Sequence, residues 1–291
     1  MLPKKAIKPD RFNGLTINVT EKLFSDYSPQ QFKTALHAHV LEWKKQQKKG
    51  VWLKIPSLLA KFVPSAIETG FSYHHCMPNF VMLTLWLPEG TSSLPLRPHH
   101  QLGVGGYILN AKNEILVIQE KHGITAGMKD FWKLPGGVVD PNESIAHAVE
   151  REVLEETGVR VKFQTIASVR ESHQGMYGGM TDLYCVCVCV LDESVYKGEQ
   201  SPVPVPQEKE IAASKWMLAD EFFKLKFYSR RSLFSDLLRH AALTAQDIKG
   251  GVGSVGRQSG GAAHTKGLVY TEGAKSRTGK VRDGIYASSK L

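Results

Sequence analysis

The chain holds only four cysteines in 291 residues, and Cys76 stands far from the other three, so no disulfide framework is expected. Its longest apolar run, "FVMLTLWL" at residues 80–87, is far too short to cross a bilayer, and no membrane association is expected. The opening "MLPKKAIKPDRF" is basic but lacks an apolar core and a cleavage site, and Pro9 and Asp10 interrupt any amphipathic presequence. These absences predict a cytoplasmic protein, with the nucleus and the mitochondrial matrix as further compartments. Residues 12–94 also lack a glycine-rich phosphate loop and any nucleophile constellation. Chemistry is therefore sought further along the chain.

The remaining cysteines alternate with valines. On a strand Cys185, Cys187 and Cys189 share one face at a repeat of about 6.6 Å, whereas thiolates on one zinc must sit much closer, each bond being about 2.3 Å. They read as small core residues. The paired His74 and His75 read as flanking a hairpin turn rather than binding metal.

What is present is an ordinary globular composition, 42% hydrophobic and 22% charged, with room for two domains. The net charge of +9 is partly terminal, because from Gly250 onward seven Lys and Arg face two acids in a Gly- and Ser-rich stretch. Residues 247–291 are expected to form a disordered basic tail, and nucleic acid is not the expected partner.

Residues 12–95 form a small α/β module. "SPQQFKTALHAHVLEWKKQQKKG" predicts a helix capped by Ser28, with Pro29 first, an apolar face of Phe32, Leu36, Val40, Leu41 and Trp43, and Gly50 as terminator. "VWLKIP", "FSYHH" and "FVMLTLWL" read as strands, and "SLLAKFVPSAIETG" as a helix kinked at Pro64. A second domain spans 98–246. There "GVGGYILN" and "EILVIQEK" read as a hairpin about Asn110 to Asn113, and "FWKLPGG" leads to "GGVVDPNESIAHAVEREVLEETGV".

That last segment crowds Glu143, Glu150, Glu152, Glu155 and Glu156 onto one predicted helix, with Asp140, Pro141 and Glu143 as its capping signals and Gly158 as its stop. Glu152, Glu155 and Glu156 share an arc of roughly 100°. Like charges so placed repel by a few tenths of a kcal/mol per pair. An acidic solvated face is the plain reading. It does not explain the full spacing: Gly137, five residues, Glu143, seven residues, Arg151-Glu152-Val153, one residue, Glu155-Glu156, one residue, Gly158-Val159. Seven fixed letters at ordinary usage agree by chance on the order of once in 10¹⁰ starts.

This spacing resembles the Nudix box at every defining position. The resemblance implies a Nudix hydrolase: an α/β/α sandwich with a mixed sheet, holding Mg²⁺ or Mn²⁺ on Glu152, Glu155, Glu156 and the Gly137 carbonyl. It also implies that Arg151 orients the glutamates and that Glu143, Gly137 and Gly158 shape the loop and helix. Such chemistry is consistent with hard oxygen donors neutralising charge on a pyrophosphate. Glu155 is the first candidate for general base.

"VWLKIPSLLAKFVPSAIETGFSYHHC", "LTLWLPEG" and "HHQLGVGGYILN" narrow the likeness. Over residues 14–240 the chain is similar to the Nudix type 6 family, which includes the antisense basic fibroblast growth factor protein of animals and a group of plant hydrolases. There the first module resembles part of an acetyltransferase fold, with packing, homodimer or substrate-rim duties. The resemblance implies hydrolysis of ADP-ribose or NADH to AMP. The alternative is a regulatory protein that binds a nucleotide or an RNA cap. Phe131, Trp132 and Tyr177 are candidates to stack on a base, and Lys121, Lys133 and Arg170 to meet phosphate. Glu171 or His173 is a candidate to activate water. Glycines 175, 178 and 179 suit a mobile loop.

Overall fold

Alternation governs the first layer. Residues 50–56 bury Val51, Leu53 and Ile55 on one side and leave Trp52 and Lys54 partly exposed on the other, as a strand with one covered face requires. The computed structural model of the chain describes residues 1–122, 126, 128, 130–173, 180–199, 201–229, 233–250, 268–272 and 283–288. They divide into two compact units, Met1–His99 and His100–Leu291.

The first unit contains β1 (Ile7–Pro9), β2 (Leu15–Asn18), α1 (Glu21–Phe24), α2 (Pro29–Lys45), β3 (Gly50–Pro56), α3 (Val63–Glu68), β4 (Ser72–Met77) and β5 (Phe80–Trp86). Its sheet runs β1-β2-β3-β5-β4, parallel between β2 and β3 and antiparallel elsewhere. Ser28 caps α2 in a reciprocal capping box with Gln31. Phe32, Leu36, Val40 and Trp43 of α2 join Leu53, Ile55 and Leu83 in one core. Leu41, expected on that face, is 51% exposed, because one further residue turns it about 100° away from Val40. Gly50 is not the helix terminator either. The helix stops at Lys45, Gln47 takes the left-handed turn at φ 54°, and Gly50 opens β3. Pro64 falls in the first turn of α3, where its missing N–H leaves nothing unpaired; the kink precedes it at Leu59 in a 3₁₀ turn.

The second unit contains β6 (His100–Ile108), β7 (Glu114–Glu120), α4 (Ile145–Thr157), β8 (Val161–Ser172), β9 (Thr181–Leu191), α5 (Glu193–Tyr196), β10 (Ile211–Leu218), α6 (Ala219–Lys224), α7 (Lys226–Ser229), α8 (Leu233–Lys249), β11 (Leu268–Glu272) and β12 (Asp283–Ser288). A mixed sheet runs β11-β12-β8-β9-β6, with β6 and β9 parallel, and β7 pairs with β10 in a second ladder. The expected β6–β7 hairpin does not form. After the turn at Asn110 the two strands join only at the bridge Leu109 to Ile115 and then enter different sheets. Residues 115–118 of β7 are buried without a break, so this strand has no solvent face for a simple hairpin to present.

One face of the mixed sheet packs on α4 through Val149 and Val153 against Val104, Ile108 and the three cysteines. The other packs on α8 through Leu237, Leu238 and Ala241 against Tyr107, Val186 and Val188. This is an α/β/α sandwich. Burial pushes the Cys185 thiol up to about 11 and Cys187 to about 12, in keeping with core residues. The segment expected to be a disordered tail contributes β11 and β12, and β12 lies along β8 from Ser168 to Ser172. Its "LVY" and "IYA" stretches supply strand-forming residues that the Gly-rich surroundings masked. Among the described residues no helix is long and apolar enough to cross a membrane.

Candidate active site

The start of α4 decides the site. Its cap is Ser144, whose hydroxyl accepts the His147 N–H at 3.2 Å. Asp140, Pro141 and Glu143 therefore lie before the helix, not on it. They make their own turn: the Glu143 N–H reaches the Asp140 carbonyl at 3.0 Å, and the Glu143 carboxylate accepts the Asp140 N–H at 3.1 Å. Only the carboxylate half of a capping box is shown, upstream of the helix. At the other end Gly158 closes the helix in the left-handed region, φ 69°, with its N–H on the Leu154 carbonyl.

Because Glu143 sits off the helix, it can meet Arg151. Arg151 Nε and Nη2 each donate to one Glu143 oxygen at 2.9 Å, a two-pronged pair. Its Nη1 donates to Glu152 at 2.9 Å and Glu155 at 3.2 Å, and Nη2 also reaches the Val138 carbonyl. The Arg151 hydrogen bonds hold the Glu143 carboxyl down to about 2. One guanidinium thus joins the loop to three carboxylates.

Glu152 and Glu156, one turn apart, face the Gly136-Gly137 segment that precedes the helix. Gly136 donates its N–H to Glu156 at 2.6 Å, and a Cβ on Gly137 would lie 2.8 Å from the Glu152 carboxylate. Gly136 has φ 150°, and a Cβ there would stand 2.1 Å from the Val104 carbonyl, so the chain can pass β6 only as glycine. Desolvation pushes Glu156 up to about 7, opposed by Lys133 and by the Gly136 N–H, and aided by the charge of Glu152. Desolvation also raises Glu152, against the hydrogen bond from Arg151. These are two like charges partly stripped of water.

Not every expected donor is there. The Gly137 carbonyl accepts the Val104 N–H at 2.9 Å and is turned to β6. Pro135 likewise turns its carbonyl to Gly106. Between them, the Gly136 N–H points to Glu156. Glu155 is 55% exposed and held by Arg151. Among the described residues no three His, Cys, Asp or Glu side chains converge closely enough to cage a metal ion. The oxygen donor set of Glu152, Glu156 and a glycine carbonyl nevertheless fits a hard divalent cation.

The flanking candidates are placed unequally. Lys133 bridges to β7 opposite Ile118 and pairs with Glu120 at 2.5 Å, and both charges act on Glu156. Glu120 was missed in the sequence, where it reads as the polar end of a strand; only the Ile118–Lys133 bridge brings it to the site. Trp132 carries Lys215 over its ring at 4.3 Å, so one face is already covered. Phe131, half-buried, packs edge-on to Phe227 and along Tyr228. Arg170 pairs with Asp182 at 2.5 Å, with its guanidinium near the Tyr184 and Phe234 rings. Its Nε is buried with no partner among the described residues. Glu171 lies next to it, 3.9 Å from His173, and His173 also meets Thr181. Lys121 reaches the Glu208 carbonyl instead of the glutamates. Tyr177 and glycines 175, 178 and 179 lie outside the described residues.

The chain is similar to known proteins. A family model described as NUDIX domain matches residues 99–238, and another described as Nudix hydrolase domain matches residues 6–87. Nudix hydrolase 5 of Arabidopsis thaliana is 37% identical over 221 residues, covering 76% of this chain and 70% of that protein. The nucleoside diphosphate-linked moiety X motif 6 protein of Mus musculus is 37% identical over 182 residues, 61% of this chain and 56% of that protein. Among solved structures, a NUDIX hydrolase from Nitrosomonas europaea is 21% identical, covers 50% of this chain and 90% of its own, and has a TM-score of 0.38.

Proposed function

The chain belongs to the Nudix hydrolases, in their type 6 group, and we propose that as an enzyme of that family it cleaves ADP-ribose and NADH, releasing AMP, with Mg²⁺ or Mn²⁺. The observation that carries this reading is the Arg151 clamp, which ties Glu143, Glu152 and Glu155 together while Glu156 is held on Gly136.

Glu152 and Glu156 would hold the metal, with a glycine carbonyl of the preceding loop as third donor; that of Gly137 also accepts the Val104 N–H. When bound, a divalent ion neutralises charge on the pyrophosphate oxygens and acidifies water. The chain's own residues do the rest. Glu155, exposed at the rim, accepts a proton from the attacking water, whose oxygen bonds to phosphorus as the P–O–P link breaks. Lys133 presents an ammonium beside Glu156. Arg170, fixed by Asp182, offers its remaining N–H groups to the ligand, and Trp132 offers its uncovered face to a base.

Incubating the full chain with ADP-ribose, NADH, NAD⁺, coenzyme A, diadenosine phosphates and capped RNA, with products identified by mass, tests this. AMP from ADP-ribose and NADH is expected. Faster turnover of coenzyme A or capped RNA would reject the substrate assignment, and no turnover of any would reject the enzyme reading.

A further inference from the structure

The sheet of the first unit has a second face, opposite α2, with a pattern of its own. The register sets Lys8, Thr16, Trp52 and Thr84 in one row across the strands, Asn18, Lys54 and Met82 in the next, and Trp86 beside Gly50. Two cavities open along it. One, of about 930 Å³, is lined by Trp52, Met82, Trp86, Arg11, Lys49 and Asp10 among others. The other, of about 510 Å³, is lined by Lys5, Lys8, Lys54, Asn18, Asn79 and Phe80 among others, with no carboxylate among the described residues. Trp52 and Lys54 are second neighbours on β3, so the two cavities follow one another at a repeat of about 6.6 Å.

We propose that this face binds single-stranded nucleic acid. The rings of Trp52, Trp86 and Phe80 suit unstacked bases, which stack on aromatic side chains whatever their sequence. Lysines between the rings suit the phosphates that join successive bases. The Trp86 indole N–H is buried without an acceptor among the described residues. Lys54 lies 4.0 Å over the Phe80 ring, holding a cation beside an aromatic surface. The unit as a whole is strongly basic: residues 1–99 carry 13 Lys and Arg against 6 Asp and Glu. A second copy of the chain fits less well. Pairing this face with itself would set lysines against lysines, and the carboxylate that lines the larger cavity, Asp10, already accepts the Phe12 and Gly14 N–H groups. Duplexes fit less well too, because their bases are stacked away from protein rings.

The inference is independent of the hydrolase site, and its test uses the full chain. Fluorescence anisotropy of a labelled single-stranded oligoribonucleotide at low salt is expected to show binding that weakens as salt rises, with quenching of tryptophan emission. The double variant Lys8→Glu, Lys54→Glu and, separately, Trp86→Leu are each expected to weaken binding about tenfold. Unaltered turnover of nucleotide substrates in each variant reports an intact fold. Any of four results overturns the proposal: both variants bind like the parent, a duplex competes equally, a free mononucleotide accounts for all the quenching, or the variants alter only the oligomeric mass.

Discussion

Arg151 and Glu143 meet through two parallel hydrogen bonds of 2.9 Å, although seven residues and a helix start lie between them. The pair fixes the loop to the helix with a geometry that lysine cannot copy.

Glu143→Gln should lower the melting temperature at neutral pH by several degrees. With its folded value near 2, below the ordinary 4.5, the Glu143 carboxyl stabilises the chain fully above about 4.5, and the contribution fades as pH falls toward about 2. Melting curves of parent and variant should therefore draw together between pH 5 and pH 2. A gap that stays constant across that range would show that the pair contributes nothing to stability.

Glu156→Gln retains an acceptor for the Gly136 N–H and removes a charge. Turnover should drop by about 100-fold or more while circular dichroism and melting stay close to the parent. Full activity would remove Glu156 from the site.

The two glycines should separate when each is changed to alanine. A Cβ at Gly136 meets the fixed Val104 carbonyl at 2.1 Å, so Gly136→Ala should destabilise the chain by about 3 kcal/mol or more. At Gly137 the Cβ meets the movable end of Glu152. Gly137→Ala should therefore fold nearly normally and lose activity. Urea titration and turnover together check this, and equal stability losses would contradict it.

Chelation by EDTA should abolish hydrolysis, and added Mg²⁺ or Mn²⁺ should restore it. Calorimetry should show that Glu152→Gln weakens uptake of the ion by about tenfold or more. Turnover that survives chelation would end the metal reading.

Arg170→Ala leaves Asp182 without its partner and removes a cation from the rim. KM should rise by about tenfold with a smaller change in kcat. The reverse pattern would place Arg170 in the chemical step.

The box spacing was legible because it depends on one helix: Gly158 stops it, and Glu152 and Glu156 fall one turn apart. Its first residue was not legible. Asp140 and Ser144 are both good caps, and the choice rests on Arg151 reaching back to Glu143, a contact made only in three dimensions. Tertiary pairing likewise settled β7. Asn110 to Asn113 is a sound turn, yet the strand beyond it lies against β10. Glu120 entered the site through the same ladder, unseen from its neighbours in sequence. β11 and β12 escaped because two short strands among glycines carry little periodicity, and β8 supplies the edge that orders them.

Three of the four thiols are buried in the core with their reactivity suppressed by desolvation, whereas Cys76 is exposed on β4. A maleimide dye applied to the folded native chain would accordingly attach at one place, giving a spectroscopic reporter on the first unit with no engineering of the sequence.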